Sequence, residues 1–404
     1  MSTRSELFHC FGLGTVEVLG TSFAGGTTVF RCRHERKRLF CACCHSGRVI
    51  RRGTVMRRFR LVPIGPRRSW LEFSIQCLEC RDCGAVRQEG LAFAKPHKRY
   101  TRASARYVVD LSRMGTIRDV ARHLGVGWDL VAEIQLEQME KDVRKTDLSA
   151  VTRIALDEFA IGKGQRYVSI VLDLDTGVAI HVAEAKSPDS VTPFLRKLKR
   201  SGATIEAVAT DMGQAYPSAV REIFPDAILV YDHFHVVKLI NDKLTDLRRD
   251  LQREADELDK DMLKGTRWLL TKNPENLDPH RNETERLQQA LKFSRPLATA
   301  YYMKEDLRMF WKQPDAEAAE RHLDIWIERA RDSAITVLKT MANTLAAYRS
   351  GLLNWYTHRI STGPLEGFNN KAQTMKRQAY GYRNMHFFML ELRTLHTKKY
   401  ALTG

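Results

Sequence analysis

The sequence predicts a multidomain α/β protein: a cysteine-bearing ribbon, a helical hairpin, then a strand-and-helix core interrupted by a long helical stretch. Three observations carry this reading. All the cysteines, eight of them, lie at or before residue 83 of 404. Residues 151–232 alternate apolar strand runs with short helices, the pattern of a sheet that becomes parallel. Residues 236–353 keep apolar side chains at helical spacing almost throughout. The length allows about two to four domains, each able to bury a core. Hydrophobic content of 43% with only 12 prolines argues against a disordered or fibrous chain. No apolar run reaches the roughly 18 residues of a membrane helix. The start, MSTRSELFHCFGLG, lacks the basic and apolar regions of a signal peptide. A cytoplasmic protein with no membrane partner is therefore expected. Lys+Arg 65 against Asp+Glu 48 leaves a net charge of +17, which points to a polyanionic partner, most often nucleic acid.

In a reducing compartment clustered thiols chelate metal rather than pair as disulfides. Cys41-Ala-Cys-Cys44 and Cys80-Arg-Asp-Cys83 are two CxxC pairs. Two residues between thiols let a tight turn aim both sulfurs at one tetrahedral ion. The 35 residues between the pairs, 45 to 79, can form a ribbon that returns the second pair to the first. Gly84 suits the turn of a zinc knuckle. One structural Zn²⁺ on Cys41, Cys44, Cys80 and Cys83 is the expectation. Cys77 also stands in CxxC register with Cys80, and Cys43 adjoins Cys44, so the ligand set keeps alternatives. Cys10 and Cys32 read as small buried residues. Between the pairs, RVIRRGTVMRRFRLVPIGPRRSWLEFSI alternates arginine with apolar residues, as strands with one basic face do. Arg51, Arg52, Arg57 and Arg58 are candidate phosphate contacts; a solvated face is the alternative.

Next comes a helical pair. Thr116 can cap a helix over Ile117 to Leu124, Gly125 stands where a left-handed turn is needed, and Asp129 to Gln138 form the second helix. Ala121, Gly125 and Val131 have the spacing of a DNA-binding helix-turn-helix: a small residue for close approach, a glycine for the turn, a β-branched residue for packing. Any helical hairpin can satisfy that pattern. Lys95, Lys98, Arg99, Arg102 and Arg106 before it favour DNA, whereas Asp129, Glu133 and Glu137 on the second helix count against deep insertion beside phosphates.

From residue 151, VTRIALDEFAIG, RYVSIVLDLD and GVAIHVAEAK form three strands, joined at Gly162-Lys-Gly164-Gln and Asp175-Thr-Gly177. A helix over Val191 to Arg200, a strand ending at Asp211, a helix over Pro217–Phe224 and a strand ending at Asp232 follow. Three antiparallel strands and then strand–helix–strand units are the order of a ribonuclease-H-like fold. There a carboxylate on the first strand lies beside one ending the fourth: here Asp157 and Asp211. A buried aspartate is costly unless paired or metal-bound; an edge charge facing water is the alternative for Asp157. Glu158 should point to the opposite face. Asp173 and Asp175 read as solvated turn residues. His233 and His235 could ligate metal, but a structural or DNA-positioning role is favoured. HExxH, the zinc-protease pattern, is absent.

From Val236 to about Leu353 helical spacing dominates. Val237, Ile240, Leu244, Leu247, Leu251, Leu258 and Met262 form one stripe, and Leu323, Ile327, Ala330, Ala334, Leu338, Met341 and Leu345 another. Trp268, Trp311 and Trp326 read as core. Asn273-Pro274 and Asp278-Pro279 mark loops. In STGPLEGFNNKAQTMKRQAYGYRN, Ser361 or Thr362 caps a helix with Pro364 early in it. Glu366, Asn369, Asn370 and Gln373 share one face. Lys371, Lys376, Arg377 and Arg383 add positive charge suited to DNA.

Together these motifs resemble the DDE transposases of bacterial insertion sequences, closest to the ISL-three family. They are the paired CxxC, the helix-turn-helix, LDEFA, TDMGQAY, YDHFHVVK and PLEGFNNKAQTMKRQAYGYRN. The resemblance spans nearly the whole chain. It implies a zinc-binding ribbon over 1–95, a helix-turn-helix over 96–148, and a ribonuclease-H-like core over 149–240 and 354–404 split by an α-helical insertion over 241–353. It implies that Asp157, Asp211 and Glu366 form the metal-binding triad, with Asp232 and His235 matching a D-x-x-H element and Asn369 and Asn370 in support. It further implies two Mg²⁺ (or Mn²⁺) ions about 4 Å apart, carboxylates being suitable hard ligands. Water would attack at the transposon end, and the freed 3′-OH would attack target DNA. The partners implied are double-stranded DNA, as transposon ends and target, and a second copy in a synaptic homodimer; the place is the bacterial cytoplasm, at the nucleoid. Two other readings stay open: a DNA-binding regulator from a decayed element, and a metal-dependent nuclease with the same core.

Overall fold

The computed structural model describes residues 3–14, 16–35, 39–161, 166–184, 188–213, 215–255, 260 and 263–397. The chain forms two compact units, the first built on residues up to Arg144 and the second on Lys145–Arg377 with Tyr382–His396.

In the first unit, helix α1 (Thr3–Phe11) precedes strands β1 (Val16–Ala24), β2 (Thr27–His34), β3 (Val49–Arg60), β4 (Arg68–Cys80) and β5 (Val86–Gln88). The sheet runs β1-β2-β4-β3, with β5 also on β4. β4 is the spine because it alternates. Leu71, Phe73 and Ile75 are each 0% exposed and pack with Phe30, Cys32, Phe59, Leu7 and Phe11. Cys32 is thus buried as expected, but Cys10 is exposed. On α1 the inward stripe is Leu7 and Phe11, at i and i+4, and Cys10 falls outside it.

Helices α2 (Arg102–Leu111), α3 (Ile117–Leu124) and α4 (Trp128–Lys145) follow. Thr116 caps α3 in a capping box with Asp119, satisfying two free N–H groups. Gly125 takes the left-handed conformation, φ 59° and ψ 50°, and Val126 N donates to Ala121 O at 2.9 Å, which turns the chain. Ala121, Leu124, Val131 and Ile134 form the small core. The second helix outruns the expected Gln138, reaching Lys145. No glycine or proline breaks it, and Met139 continues its buried stripe.

In the second unit, β6 (Arg153–Ala160), β7 (Tyr167–Asp173) and β8 (Ala179–Glu184) form an antiparallel meander, and β9 (Ala207–Thr210) and β10 (Ile228–Tyr231) add parallel strands in the order β10-β9-β6-β7-β8. The expected turn at Gly162-Lys-Gly164-Gln lies outside the described residues. Helices α5 (Pro188–Arg200) and α6 (Ala215–Ile223) pack Leu195, Leu198, Val220 and Ile223 on the sheet. Asp175 is exposed, but Asp173 is buried, 6% exposed. It accepts from Thr176 Oγ1 at 2.5 Å and Asp175 N at 3.1 Å. The tight turn before Gly177, φ +71°, folds its donors back over Asp173, correcting the solvated reading.

The helical stretch comprises α7 (His233–Glu254), α8 (Arg267–Thr271), α9 (Glu283–Phe293), α10 (Arg295–Arg308), α11 (Ala316–Asp332), α12 (Thr336–Ala347) and α13 (Arg349–Leu353). Leu258 and Met262 of the expected stripe lie outside the described residues. Its core centres on Trp326, 0% exposed, whose Nε1 donates to Met303 O at 2.8 Å. Trp311 packs against that core half-buried, but Trp268 is 66% exposed. In the short α8, Leu269 and Leu270 take the inward positions, which turns Trp268 to solvent under Arg267. Both Asn-Pro and Asp-Pro steps open single 3₁₀ turns. The chain returns along β10: Asn354 Nδ2 donates to Leu229 O at 2.9 Å, and Gly351 lies so close to the Tyr231 ring that a Cβ there would clash with it. Helices α14 (Gly363–Gln378) and α15 (Met385–Arg393) close the unit. Among the described residues no helix is long and apolar enough to cross a membrane.

Trp326→Ala removes the largest buried side chain and a hydrogen bond, and should destabilise the second unit by about 3–5 kcal/mol, measured by chemical denaturation. A loss below about 1 kcal/mol would show that Trp326 does not organise this core.

Candidate functional site

The β3–β4 hairpin brings the two cysteine pairs together. Val49 is registered opposite Cys80, so β3 leaves the first knuckle where β4 enters the second. Each knuckle closes with a backbone bond: His45 N to Cys41 O and Gly84 N to Cys80 O, both 3.0 Å. His45 and Gly84 take positive φ, 58° and 70°. Cys41 Sγ lies 3.6 Å from Cys83 Sγ, and Cys44 Sγ 3.5 Å from Cys80 Sγ. All four sulfurs lie within 4.8 Å of one another. A tetrahedron with Zn–S bonds of about 2.3 Å has edges of about 3.8 Å, so the cluster suits zinc. The N–H of Cys44 lowers the Cys41 thiol pKa, and the N–H of Cys83 lowers that of Cys80. The Cys44 and Cys83 thiols go up instead: backbone N–H groups favour their thiolates, but the crowding of neighbouring sulfurs outweighs that. Cys43 is exposed and Cys77 half-buried, both outside the cluster.

Beside it, β3 is an edge strand with Arg51, Arg52 and Arg58 exposed and Arg57 half-buried. Arg52 pairs with Glu79, Arg58 lies over the Trp70 ring, and Arg57 Nη2 donates to Lys98 O at 3.2 Å. These contacts hold the guanidinium stems while leaving a basic edge. On α4, Glu133 and Glu137 are not free acids. Glu133 pairs with Lys98 and accepts from Tyr100 Oη at 3.1 Å, and Glu137 pairs with Lys95 and Lys98. Two of the three acids that argued against DNA are therefore paired internally, Asp129 stays exposed, and Arg118, Arg122 and Trp128 remain exposed around the turn. Two arginines were missed by sequence reasoning. Arg60 donates to Leu124 O, and the Arg68 guanidinium occupies the space a Gly125 side chain would need. Both brace the turn, and neither has a local sequence signal.

The carboxylates lie in the second unit. β6 and β9 are parallel with Ala155 opposite Ala209, and Asp157 and Asp211 each stand two residues further on. Asp157 Oδ1 accepts from Glu158 N at 2.7 Å, and Asp211 Oδ1 from Gly213 N at 3.2 Å. Burial pushes the Asp157 carboxyl pKa up, and the Asp211 charge adds to the rise. Glu158 points the other way, toward the Tyr216 hydroxyl, as strand alternation requires. α14 lies along β6 by one face: Asn369 Nδ2 donates to Asp157 Oδ2 at 3.5 Å, Gln373 Nε2 to Ala160 O at 3.3 Å, and Lys376 Nζ to Ile161 O. Glu366 is on the same face one turn earlier, in the first turn of α14 and exposed.

Asp157, Asp211 and Glu366 do not close to within 4.8 Å of one another; among the described residues only the four cysteines do. Asn369 Oδ1 is buried without a hydrogen-bond partner. With the neighbouring carboxylates it makes an all-oxygen donor set that fits a hard divalent cation. Asn370, Lys371, Arg377 and Arg383 are exposed, whereas Lys376 is committed to β6. Asp232, 1% exposed, accepts from Thr362 Oγ1 at 2.6 Å, with His235 Nδ1 3.7 Å away. Sequence reasoning named Asp232 and His235 but saw Thr362 only as a cap; the partner stands 130 positions away.

Two outcomes follow. Purified protein should hold one zinc per chain, and Cys83→Ser should lose it and unfold the first unit; zinc near zero in the folded wild type would exclude the metal. The second concerns pH. A carboxyl whose pKa is raised on folding stabilises below its unfolded value, and that contribution is lost as pH rises through the raised value. In EDTA near neutral pH, Asp157→Asn should therefore melt higher than wild type, and the gap should shrink toward about pH 4. An Asn variant that melts lower at neutral pH would contradict the burial cost assigned to Asp157.

Known proteins resemble this chain along most of its length. A family model described as "Transposase" matches residues 154–392, and one described as "Helix-turn-helix domain of transposase family ISL3" matches residues 91–136. The transposase for insertion sequence element IS1001 of Bordetella parapertussis is 32% identical over 388 residues, 95% of each chain. The transposase for insertion sequence element IS1557 of Mycobacterium tuberculosis is 26% identical over 358 residues, 82% of this chain and 80% of that one. A solved Drosophila P element transposase strand transfer complex matches at TM-score 0.33 and 14% identity over 64% of this chain and 80% of that one, too low to carry an argument. The chain belongs to the insertion-sequence transposase family ISL3.

Proposed function

We propose that this transposase cleaves the ends of its insertion sequence and joins the 3′-OH ends to target DNA, with Asp157, Asp211 and Glu366 as its metal-binding carboxylates. The observation that supports the reading is the parallel β6–β9 register, from whose last pair, Ala155 and Ala209, Asp157 and Asp211 each stand two residues on, with α14 laid along β6. The strand order β10-β9-β6-β7-β8, three antiparallel then two parallel, supports a ribonuclease-H-like core over 149–240 and 354–404 with its helical insertion over 241–353. The ribbon over 1–95 and the helix-turn-helix over 96–148 bind the ends.

Each group has a task on this reading. Asp157, Asp211 and Glu366 would hold Mg²⁺ or Mn²⁺, two per site, which would supply activation of the attacking oxygen and relief of charge on the phosphate. Asn369 orients Asp157 by its amide hydrogen bond. Asp232 and His235 support α14. Lys371, Arg377 and Arg383 meet DNA phosphates. The exposed arginines of β3 contact the backbone, and α4 approaches a groove. One zinc on four cysteines is structural, because four thiolates leave no open position. A homodimer joins two ends in concert.

Cleavage and strand-transfer assays on the parent element's ends test this. Alanine at Asp157, Asp211 or Glu366 should cut both activities by roughly 10³-fold or more with end binding nearly intact, while Glu158→Ala keeps measurable activity. A fully active Glu366→Ala overturns the triad. Cleavage without joining would favour a nuclease, and binding without either activity a regulator. Residues 1–145 alone should bind the ends, with affinity falling on the order of 10³-fold between about 50 and 200 mM salt. A fragment lacking them that still recognises the ends would overturn the division of labour.

A further inference from the structure

The chain leaves β10 at Asp232, runs through more than a hundred helical residues, and comes back beside the same strand. Its return is fixed at three points: Gly351 against the Tyr231 ring, Asn354 on Leu229 O, and Thr362 on Asp232. The last of these differs in kind. Asp232 is 1% and Thr362 3% exposed, and their 2.6 Å hydrogen bond joins the first residue before α7 to the last before α14. Asp232 does not cap α7, since its side chain makes no capping bond there. Thr362 Oγ1 does not accept from α14 either; it donates away, while the Thr362 carbonyl accepts from Leu365 N at 2.8 Å and Glu366 N at 3.1 Å. One residue therefore grips the strand end with its side chain and the Glu366 amide with its carbonyl.

We propose that Thr362 is a positioning residue for the metal-binding site: its hydroxyl, latched to Asp232, sets how far the first turn of α14 advances, and so where the Glu366 carboxylate meets the metal shared with Asp157 and Asp211. The proposal rests on the reading of those three residues as the catalytic carboxylates. The lower part of α14 is already held to β6 through Asn369, Gln373 and Lys376. In the N-terminal turn Leu365 is buried and seats the helix by packing, and the latch adds the buried polar contact that sets how far the turn advances. Glu366 is exposed and has no packing of its own to hold its place.

The test uses full-length protein bound to transposon-end DNA. Thr362→Val keeps the shape and removes the hydroxyl; Thr362→Ser keeps the hydroxyl. Mn²⁺ binding is followed by loss of the free-ion electron paramagnetic resonance signal, and cleavage by the Mn²⁺ concentration giving half-maximal rate. T362V should weaken Mn²⁺ binding about tenfold, shift the half-maximal concentration upward by the same factor, and leave end affinity unchanged. T362S should bind and cleave within about threefold of wild type. Unchanged Mn²⁺ binding and cleavage in T362V overturns the latch, as does a T362S as impaired as T362V, because packing rather than the hydroxyl would then matter. If T362V does not fold, Thr362→Ala is compared with T362S in the same way. Glu366→Ala separates the two readings: if it is inactive while T362V is normal, the latch alone fails; if it is fully active, the triad itself fails.

Discussion

The parallel pairing of β6 with β9 is the constraint on which the second unit depends. A parallel pair cannot be closed by a tight turn, so the chain must travel through β7, β8 and α5 before β9 can form. In return, the register carries Asp157 and Asp211 to the same level of the sheet. Burial raises the Asp157 carboxyl pKa, and the Asp211 charge adds to the rise. That cost is what the proposed metal-binding role would repay. The helices around it are arranged accordingly: α14 brings amide and ammonium donors down on β6, and α7 brings His235 toward Asp232.

The first unit solves a different problem. Its hydrophobic core is narrow, with one apolar face of the sheet closed by α1 and a few aromatic residues, and small cores need an added cross-link. Four cysteines at one end of the β3–β4 hairpin are placed to supply one by holding a metal ion. Arg60 and Arg68 from the same sheet reach the carbonyl and the glycine of the helix-turn-helix. Ribbon and helices within this unit therefore share one polar seam, and the charge left over lies on edges and helix ends.

Much of this was legible because the signals are local. A capping threonine, a left-handed glycine and a β-branched residue act within a few positions, and α3 begins and ends where they place it. Strand alternation located β4 and β6, and CxxC spacing located the sulfur cluster. The errors are also local in origin. Periodicity does not say which of Arg267–Thr271 face inward, so Trp268 was misplaced; turn composition does not say that Thr176 folds over Asp173; a short helix gave no sign that Cys10 lay off its buried stripe. Contacts between distant residues, such as Arg68 with Gly125, leave no mark in either neighbourhood. Motif resemblance reached the candidate carboxylates; their hydrogen-bond partners became visible only with the fold.

The position of Glu366 in the chain has a consequence for synthesis. The ribbon and helix-turn-helix are finished by about residue 145, whereas Glu366 follows 221 residues later (366 − 145). At about 5–20 residues per second, a ribosome needs roughly 10–45 s to cover that interval. Through it the nascent protein carries the ribbon and helix-turn-helix without Glu366, the last of the three proposed metal-binding carboxylates. A chain truncated anywhere in the helical stretch keeps the part that holds DNA and lacks the part proposed to cut it. On the proposed division of labour, premature termination would yield a competitor for the ends rather than an uncontrolled nuclease.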